Sequence, residues 1–137
     1  MWTVEGEIQN ALDILELSSA HFKRLDTFTA KQIVEQAKAK YVIGNPRSWW
    51  LSLKVPYKSY EYDLFTNDLS EYIPDQETEC YWIPESEEEY LSVYDTRISV
   101  IRQVLENTPF FEYYVLSKKI EWLLIENDHN ELIVIVE

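Results

Sequence analysis

The segment FEYYVLSKKIEWLLIENDHNELIVIV, residues 111–136, decides the fold. It holds three apolar runs, Phe111–Leu116, Ile120–Ile125 and Leu132–Val136, which are joined by short polar connections. Strands connected so closely can pair only antiparallel, because a parallel crossover needs about a dozen residues or more. The segment therefore predicts a three-stranded antiparallel meander. The last two runs are apolar on both faces, which predicts interior strands with cover on each side.

Helical and extended patterns alternate upstream of the meander. Two helices are predicted first. One runs from Thr3 to about Leu25, with the alternative of a break before His21, and the other covers about residues 30–40, where Thr29 and Gln32 fit a capping box. The later elements are predicted as strands at Trp49–Lys54, Tyr60–Leu64 and Glu79–Ile83, helical turns at Asp68–Tyr72 and from Ser86, and a helix from Asp95 or Thr96 to Glu106. We expect a single α+β domain over residues 1–137, with N-terminal helices and an antiparallel sheet that ends in the meander.

The composition excludes several classes of protein. The chain has 137 residues, of which 46% are hydrophobic, enough for one continuous core. Only 2 Gly are present, which argues against a glycine-rich nucleotide loop. With 2 His and 1 Cys, a His/Cys zinc cluster is nearly excluded and an intramolecular disulfide is impossible. We expect no cofactor.

The net charge is strongly negative. Twenty-five Asp and Glu face 12 Lys and Arg, which gives a formal charge of −13. Such a chain repels nucleic acids and anionic membranes at long range and attracts basic proteins. No signal-peptide pattern opens the sequence, and the longest wholly apolar run, Leu132–Val136, is far too short for a membrane span. These features predict a cytoplasmic protein whose partner is a basic protein.

An acidic and aromatic segment is the main candidate for a binding surface. From Glu61 to Asp95 the chain carries 12 acids and no Lys or Arg, interleaved with tyrosines. Tyr and Trp are enriched at interface hot spots, whereas an isolated run of acids is usually solvated surface. The predicted partner-binding residues are Glu85, Glu87, Glu88, Glu89, Tyr72, Tyr90 and Tyr94. Solvated surface is the alternative for the same segment.

Other chemistry-bearing residues have simpler interpretations. His129, in the polar connection 126–131, is interpreted as an ordinary turn residue, and Cys80 as a small buried hydrophobe. The stretch Asn45–Trp50 is interpreted as a turn followed by core tryptophans, although its Arg47 has the alternative of stacking on a Trp or bonding an acidic residue. No nucleophile motif or P-loop is present, so catalytic residues are not predicted.

Several stretches carry a family resemblance. They are Phe110–Lys118, Glu121–Leu124, Glu126–Glu131 and Cys80–Glu85. In these stretches the chain resembles small uncharacterised bacterial proteins. In its acidic, aromatic-rich α+β character it also resembles the immunity proteins of bacterial toxin systems, including the SUKH-type superfamily. The resemblance implies a bacterial, cytoplasmic binding protein and carries over no catalytic residue.

Two functions are therefore expected in order. The first is a non-enzymatic protein-binding domain, such as a toxin-neutralising immunity-like protein, whose acidic and aromatic surface covers a basic partner. The alternative is a small-molecule-binding or enzymatic domain with an aromatic-lined pocket. The first function needs a broad exposed acidic face, whereas the second needs a concave pocket with convergent polar groups.

The scarcity of His and Cys makes a testable prediction about metal content. Because 2 His and 1 Cys are too few for a typical closed zinc site, purified protein is expected to carry no stoichiometric transition metal. Elemental analysis of protein purified without chelators tests this expectation. One zinc ion per chain would contradict it.

Overall fold

The computed structural model describes residues 3–17, 22–62, 69–73, 78–86 and 90–136. Three α-helices lie in this part of the chain: α1 (Val4–Leu15), α2 (Thr27–Tyr41) and α3 (Ile98–Leu105). The strands are β1 (Lys23–Arg24), β2 (Lys58–Glu61), β3 (Glu79–Pro84), β4 (Tyr94–Arg97), β5 (Tyr113–Ser117), β6 (Trp122–Glu126) and β7 (Glu131–Val136). Short 3₁₀ turns occupy Trp49–Leu51 and Leu69–Glu71.

The strands form one antiparallel sheet in the order β1-β4-β3-β5-β6-β7-β2. The predicted C-terminal meander is confirmed: Val115 pairs with Leu124, and Leu124 pairs with Val134. Strands β6 and β7 are interior strands, as their apolar sequence predicted, because β2 pairs along the outer side of β7. The α+β fold class is likewise confirmed.

Helices cover both faces of the sheet, so the sheet has two separate cores. On one face, α1 and α3 pack over β3, β5 and β7 through residues such as Ile8, Ile101 and Val115. On the other face, α2 packs over alternate residues of the same strands, including Leu116 and Ile133. Side chains alternate between faces along a strand, so a strand between two cores must be apolar at every position. Within the described residues, no helix is both long and apolar enough to cross a bilayer.

The N-terminal helices differ from the prediction at their ends. Helix α1 stops at Leu15, earlier than predicted, because Glu16 takes a left-handed conformation with φ of 55° and caps the helix. Helix α2 begins at Thr27 with Asp26 as its N-cap, so the predicted capping box at Thr29 was wrong. The Asp26 carboxylate accepts from both the backbone N–H and the hydroxyl of Thr29, and these bonds lower its pKa.

One predicted strand and one predicted helix start in the middle of the chain were also wrong. Trp49–Leu51 is a 3₁₀ turn, because Trp49 lies flat on Tyr114 of β5, with ring centroids 4.1 Å apart, instead of joining a strand. The predicted helix start at Asp95 or Thr96 is strand β4, and α3 begins only at Ile98. The Asp95 side chain forms an ion pair with Lys118 at 2.7 Å and does not cap the helix.

Trp82 is the central side chain of the α1/α3 core. It is 0% exposed, and the rings of Phe22, Tyr94, Phe111 and Tyr113 surround it at centroid distances of 5.5–5.9 Å. Trp122 lies in an apolar run of the sequence and was therefore expected to be largely buried. In the structure it is only partly buried, at the start of β6. Full burial, expected of Trp122 from its place in the apolar run Ile120–Ile125, is therefore found at Trp82 instead.

Replacing Trp82 by Ala is expected to destabilise the protein by about 3–5 kcal/mol, because it removes a fully buried ring and leaves a cavity. The matched variant Trp122→Ala removes the same side chain from a partly exposed position and should cost clearly less. Urea denaturation measures both free energies of unfolding. Equal losses for the two variants would contradict the assignment of Trp82 to the centre of the core.

Candidate functional site

One end of the sheet collects six carboxylates, and we call this set the acidic end. Strands β3 and β6 finish there, β5 and β7 begin there, and β2 finishes there opposite β7. Chain direction alternates between neighbouring antiparallel strands, so residues at the end of one strand and the start of the next become neighbours. The acidic end consists of Glu61, Glu85, Glu112, Glu126, Asp128 and Glu131.

Glu112 accepts three hydrogen bonds at the acidic end. It accepts from the indole N–H of Trp50 at 3.1 Å, from the backbone N–H of Asp128 at 3.1 Å and from the Ser48 hydroxyl at 3.5 Å. These donors come from the 48–50 turn and from the β6–β7 connection. Glu112 therefore joins two loops that are distant in sequence.

Glu131 is held in a similar way. Its carboxylate accepts from the Ser59 hydroxyl and, at 2.7 Å, from the side-chain amide of Asn127. These two bonds lower its pKa, with a small contribution from His129. The side chain is thus ionised at neutral pH. The hydrogen bonds described for Glu112 and Glu131 come from uncharged donors, which orient the carboxylates without cancelling their charge.

Glu85 is electrostatically different because it is half-buried. Burial raises its pKa, and the neighbouring Glu112 charge adds to this effect. The Tyr114 hydroxyl, which donates to Glu85, and the positive charge of Arg47 act in the opposite direction. The sequence left contact with an acidic residue as an alternative for Arg47, and in the structure the positive charge of Arg47 acts on Glu85.

Trp50 is the aromatic side chain of the acidic end. It is partly exposed, donates to Glu112, and has the His129 ring edge-on at a centroid distance of 5.6 Å. His129 lies in the turn predicted for it, where its backbone N–H donates to the Asn127 side chain at 3.0 Å. Sequence reasoning missed Trp50 and Glu112 as site residues, because nothing local brings residues 50, 112 and 128 together.

The four predicted partner-binding residues that the structure describes do not form one surface. Tyr94 is 4% exposed and packs on Trp82 and Phe22, so its assignment to a binding surface was wrong. Burial raises its pKa to about 12. Tyr72 packs beside Tyr60 on the α1/α3 face, whereas Tyr90 lies near α2. Glu87, Glu88 and Glu89 lie outside the described residues.

A cleft beside α2, which we call the α2 cleft, contains Glu85 and Tyr90. It has a volume of about 330 Å³, and Lys31, Lys38 and Arg47 border it together with Trp49. The Lys31 ammonium lies 5.1 Å from the centre of the Tyr90 ring, and the Lys38 ammonium donates to the Asn45 side chain. Three cations therefore border the same cleft as Glu85.

Neither a reactive cysteine nor a metal-binding cluster is found among the described residues. Cys80 is 0% exposed, and burial raises its pKa to about 12, as expected for a small buried hydrophobe and not for a reactive thiol. In the part of the chain that the structure describes, no group of three His, Cys, Asp or Glu side chains could hold a metal ion. The expectation of no bound transition metal stays a prediction.

The fold and the acidic end define a small α+β protein with a two-sided helical cover and an anionic sheet end. The chain belongs to the family described as "Family of unknown function (DUF6756)", whose match spans residues 1–137. No curated protein and no solved structure matches the chain.

The raised pKa of Glu85 makes a prediction with a definite sign. A carboxyl whose pKa is raised by folding stabilises the folded state while it is protonated, and that contribution is lost as the pH rises through the folded-state pKa. Glu85→Gln is therefore expected to raise the melting temperature at pH 7, on the order of 2 °C, and to leave it nearly unchanged at about pH 4. Thermal denaturation across this range is the measurement.

The matched control is Glu79→Gln, since Glu79 is exposed at the opposite end of the sheet. Its pH profile should follow that of the wild type. A Glu85→Gln profile parallel to that of the control would mean that burial of Glu85 has no effect on stability.

Proposed function

We propose that this protein is a non-enzymatic binding protein whose acidic end docks on a basic protein surface. The observation that carries the proposal is the way in which Glu112 and Glu131 are bonded, by uncharged donors that fix their position. Carboxylates fixed in this way lose little side-chain entropy on binding and keep their full charge for a partner. The net charge of −13 extends the same attraction to long range.

The two ends of the sheet differ in charge. Lys58 opens β2, and Lys118 and Lys119 follow β5, all at the end away from Glu131. Glu79, Glu121 and Asp95, which pairs with Lys118, also lie at that end, so its charge is mixed. A cationic surface is therefore attracted more strongly to the acidic end with its six carboxylates. Opposite charges at an interface increase the association rate more than the affinity. A partly exposed aromatic side chain, here Trp50, supplies the kind of desolvated contact that slows dissociation.

The partner class that we propose is a toxin with a phosphate-binding active site, as the resemblance to immunity proteins implies. Such a site is basic because it binds a polyanion. Carboxylates at fixed separations imitate that polyanion, so the bound protein would occlude the site. This proposal includes the bacterial, cytoplasmic setting in which immunity proteins act. The predicted binding residues Glu87, Glu88 and Glu89 follow Glu85 and Ser86 in the sequence and add to the negative charge of the chain.

Charge reversal at the acidic end tests the proposal. The double variant Glu61→Lys with Asp128→Lys changes two exposed carboxylates of the acidic end. It is expected to lower the association rate with the basic partner by about tenfold or more at low salt and to flatten the salt dependence of that rate. The partner is captured from a lysate of the source organism, and the kinetics are then measured at two salt concentrations.

The matched control is Glu79→Lys with Glu121→Lys, which raises the net charge equally at the opposite end of the sheet. A third variant reverses Glu87, Glu88 and Glu89. The control should lose much less association rate than the acidic-end variant. Equal losses would mean that net charge alone governs binding, and unchanged rates in all variants would leave the acidic end as solvated surface.

The α2 cleft favours a second candidate, the binding of a small anionic ligand. Three of its bordering side chains, Lys31, Lys38 and Arg47, are cationic, and Tyr90 offers an exposed ring. Against this candidate, Trp49 is only 3% exposed and Glu85 repels an anion. Inorganic phosphate and a mononucleotide serve as probes in thermal-shift measurements. Binding in the cleft would be favoured if a probe raises the melting temperature of the wild type and of Glu61→Lys with Asp128→Lys, but not that of Arg47→Ala.

A further inference from the structure

Strand β2 lies at the edge of the sheet, and two of its residues direct backbone groups outward. The Tyr62 N–H donates to the Asn130 carbonyl at 2.9 Å, so the even-numbered residues of β2 bond to β7. Bonding alternates along an antiparallel pair, and the N–H and C=O groups of Ser59 and Glu61 therefore point away from β7. Among the described residues, no strand pairs with the outward N–H and C=O groups of Ser59 and Glu61. An edge of this kind is a template for another strand.

The α2-side face of this edge carries a like-charge pair. Glu61 stands directly opposite Glu131 in the β2–β7 register. Like charges opposite each other on neighbouring strands destabilise the pairing. Ser59 and Asn127 orient Glu131 but bring no charge. A cationic side chain on a strand added beside Glu61 would offset this repulsion.

The other face of the edge forms a largely aromatic groove of about 500 Å³, lined by Pro56, Tyr57, Tyr60, Tyr72, Val134 and Val136, with Lys58 and Glu71 also at its wall. Three of these side chains are well exposed, at 50% for Tyr57, 39% for Tyr60 and 61% for Val136. The rings of Tyr60 and Tyr72 lie 5.0 Å apart. Tyr72, one of the predicted binding residues, therefore lies in this groove and not at the acidic end.

We propose that β2 accepts an extended basic segment of the protein partner as an additional antiparallel strand. Alternate side chains of that segment would be cationic toward Glu61 and Glu131 and apolar toward the Tyr60–Tyr72 groove. Strand addition of this kind takes affinity from the main chain and specificity from alternate side chains. The inference rests on the proposed function, since it names how the basic partner is held.

A second copy of this chain fits the edge less well. Two chains of net charge −13 repel each other, and Lys58 and Glu61 point to opposite faces of β2. Pairing β2 with itself through its outward groups would therefore form no ion pair between these residues. The charge of the edge thus selects a basic segment over a copy of itself.

Amide hydrogen exchange on the unaltered protein tests the proposal. The probe is a synthetic peptide of about nine residues that alternates Lys and Val, compared with a peptide of the same composition arranged in two blocks. The alternating peptide is expected to slow exchange of the Ser59 and Glu61 amides at least tenfold. The Tyr60 amide, which already bonds to β7, serves as the internal control and should change much less. Absence of protection, or equal protection at all three amides, would overturn strand addition.

A pair of variants at one position separates the main chain from the side chain. Ser59→Pro removes the outward N–H, whereas Ser59→Ala removes only the hydroxyl that bonds Glu131. Ser59→Pro is expected to bind the alternating peptide at least tenfold more weakly than Ser59→Ala. Equal affinities, with partner association still sensitive to Glu61→Lys and Asp128→Lys, would overturn strand addition and leave the proposed function standing.

The inference and the proposed function would both be overturned if two results came together: equal peptide affinities for the two Ser59 variants, and partner association unaffected by Glu61→Lys with Asp128→Lys. If Ser59→Pro does not fold, as judged by its thermal transition, the exchange experiment decides alone. Protection of Ser59 that rises with protein concentration in the absence of peptide would show that a second copy occupies the edge, which overturns the choice of a basic segment.

Discussion

The structure depends on two adjacent tyrosines in a strand that is buried on both faces. Tyr113 and Tyr114 belong to β5, the middle strand of the sheet, and each is 0% exposed. Because neighbours in a strand point to opposite faces, one hydroxyl enters each core, and a buried hydroxyl needs a hydrogen-bond partner. Tyr113 donates to Glu126 at 2.6 Å, and Tyr114 donates to Glu85. Burial raises the pKa of both tyrosines, so both remain donors at neutral pH.

This requirement links the core to the surface charge. Tyr114 also accepts from the backbone N–H of Trp49 at 3.1 Å and stacks on its ring, which fixes the 48–50 turn against β5. The next residue, Trp50, is thereby placed to donate to Glu112. Glu112 in turn holds the β6–β7 connection through the Asp128 N–H. Carboxylates that satisfy core and loop donors are thus concentrated at one end of the sheet, where their charge is also available to a partner.

Each part of the fold could be predicted only where the residues that determine it lie close together in the sequence. Strands β5 to β7 could be predicted because short connections and continuous apolar runs are local signals. Strand β4 could not, since Asp95 and Thr96 resemble helix caps until the pairing of Asp95 with Tyr81 of β3 is known. Trp49 alternates like a strand residue, yet its stacking on Tyr114 overrides that pattern. For the same reason Glu112 and Trp50 carried no local signal of a site, and Tyr94, in an acidic segment, gave no sign that it was buried.

In the proposed function, the acidic end and the β2 edge would act at different stages of binding. Exposed carboxylates act over about a Debye length, 8–10 Å at physiological salt, and each contributes little to the free energy of a formed complex. Main-chain hydrogen bonds and aromatic contacts act only after contact and determine how long the complex lasts. Glu61 belongs to both surfaces, because it closes β2 and faces Glu131. In the proposed complex, a cationic segment attracted to the acidic end would therefore arrive beside the outward N–H of Glu61, where it could pair with the strand.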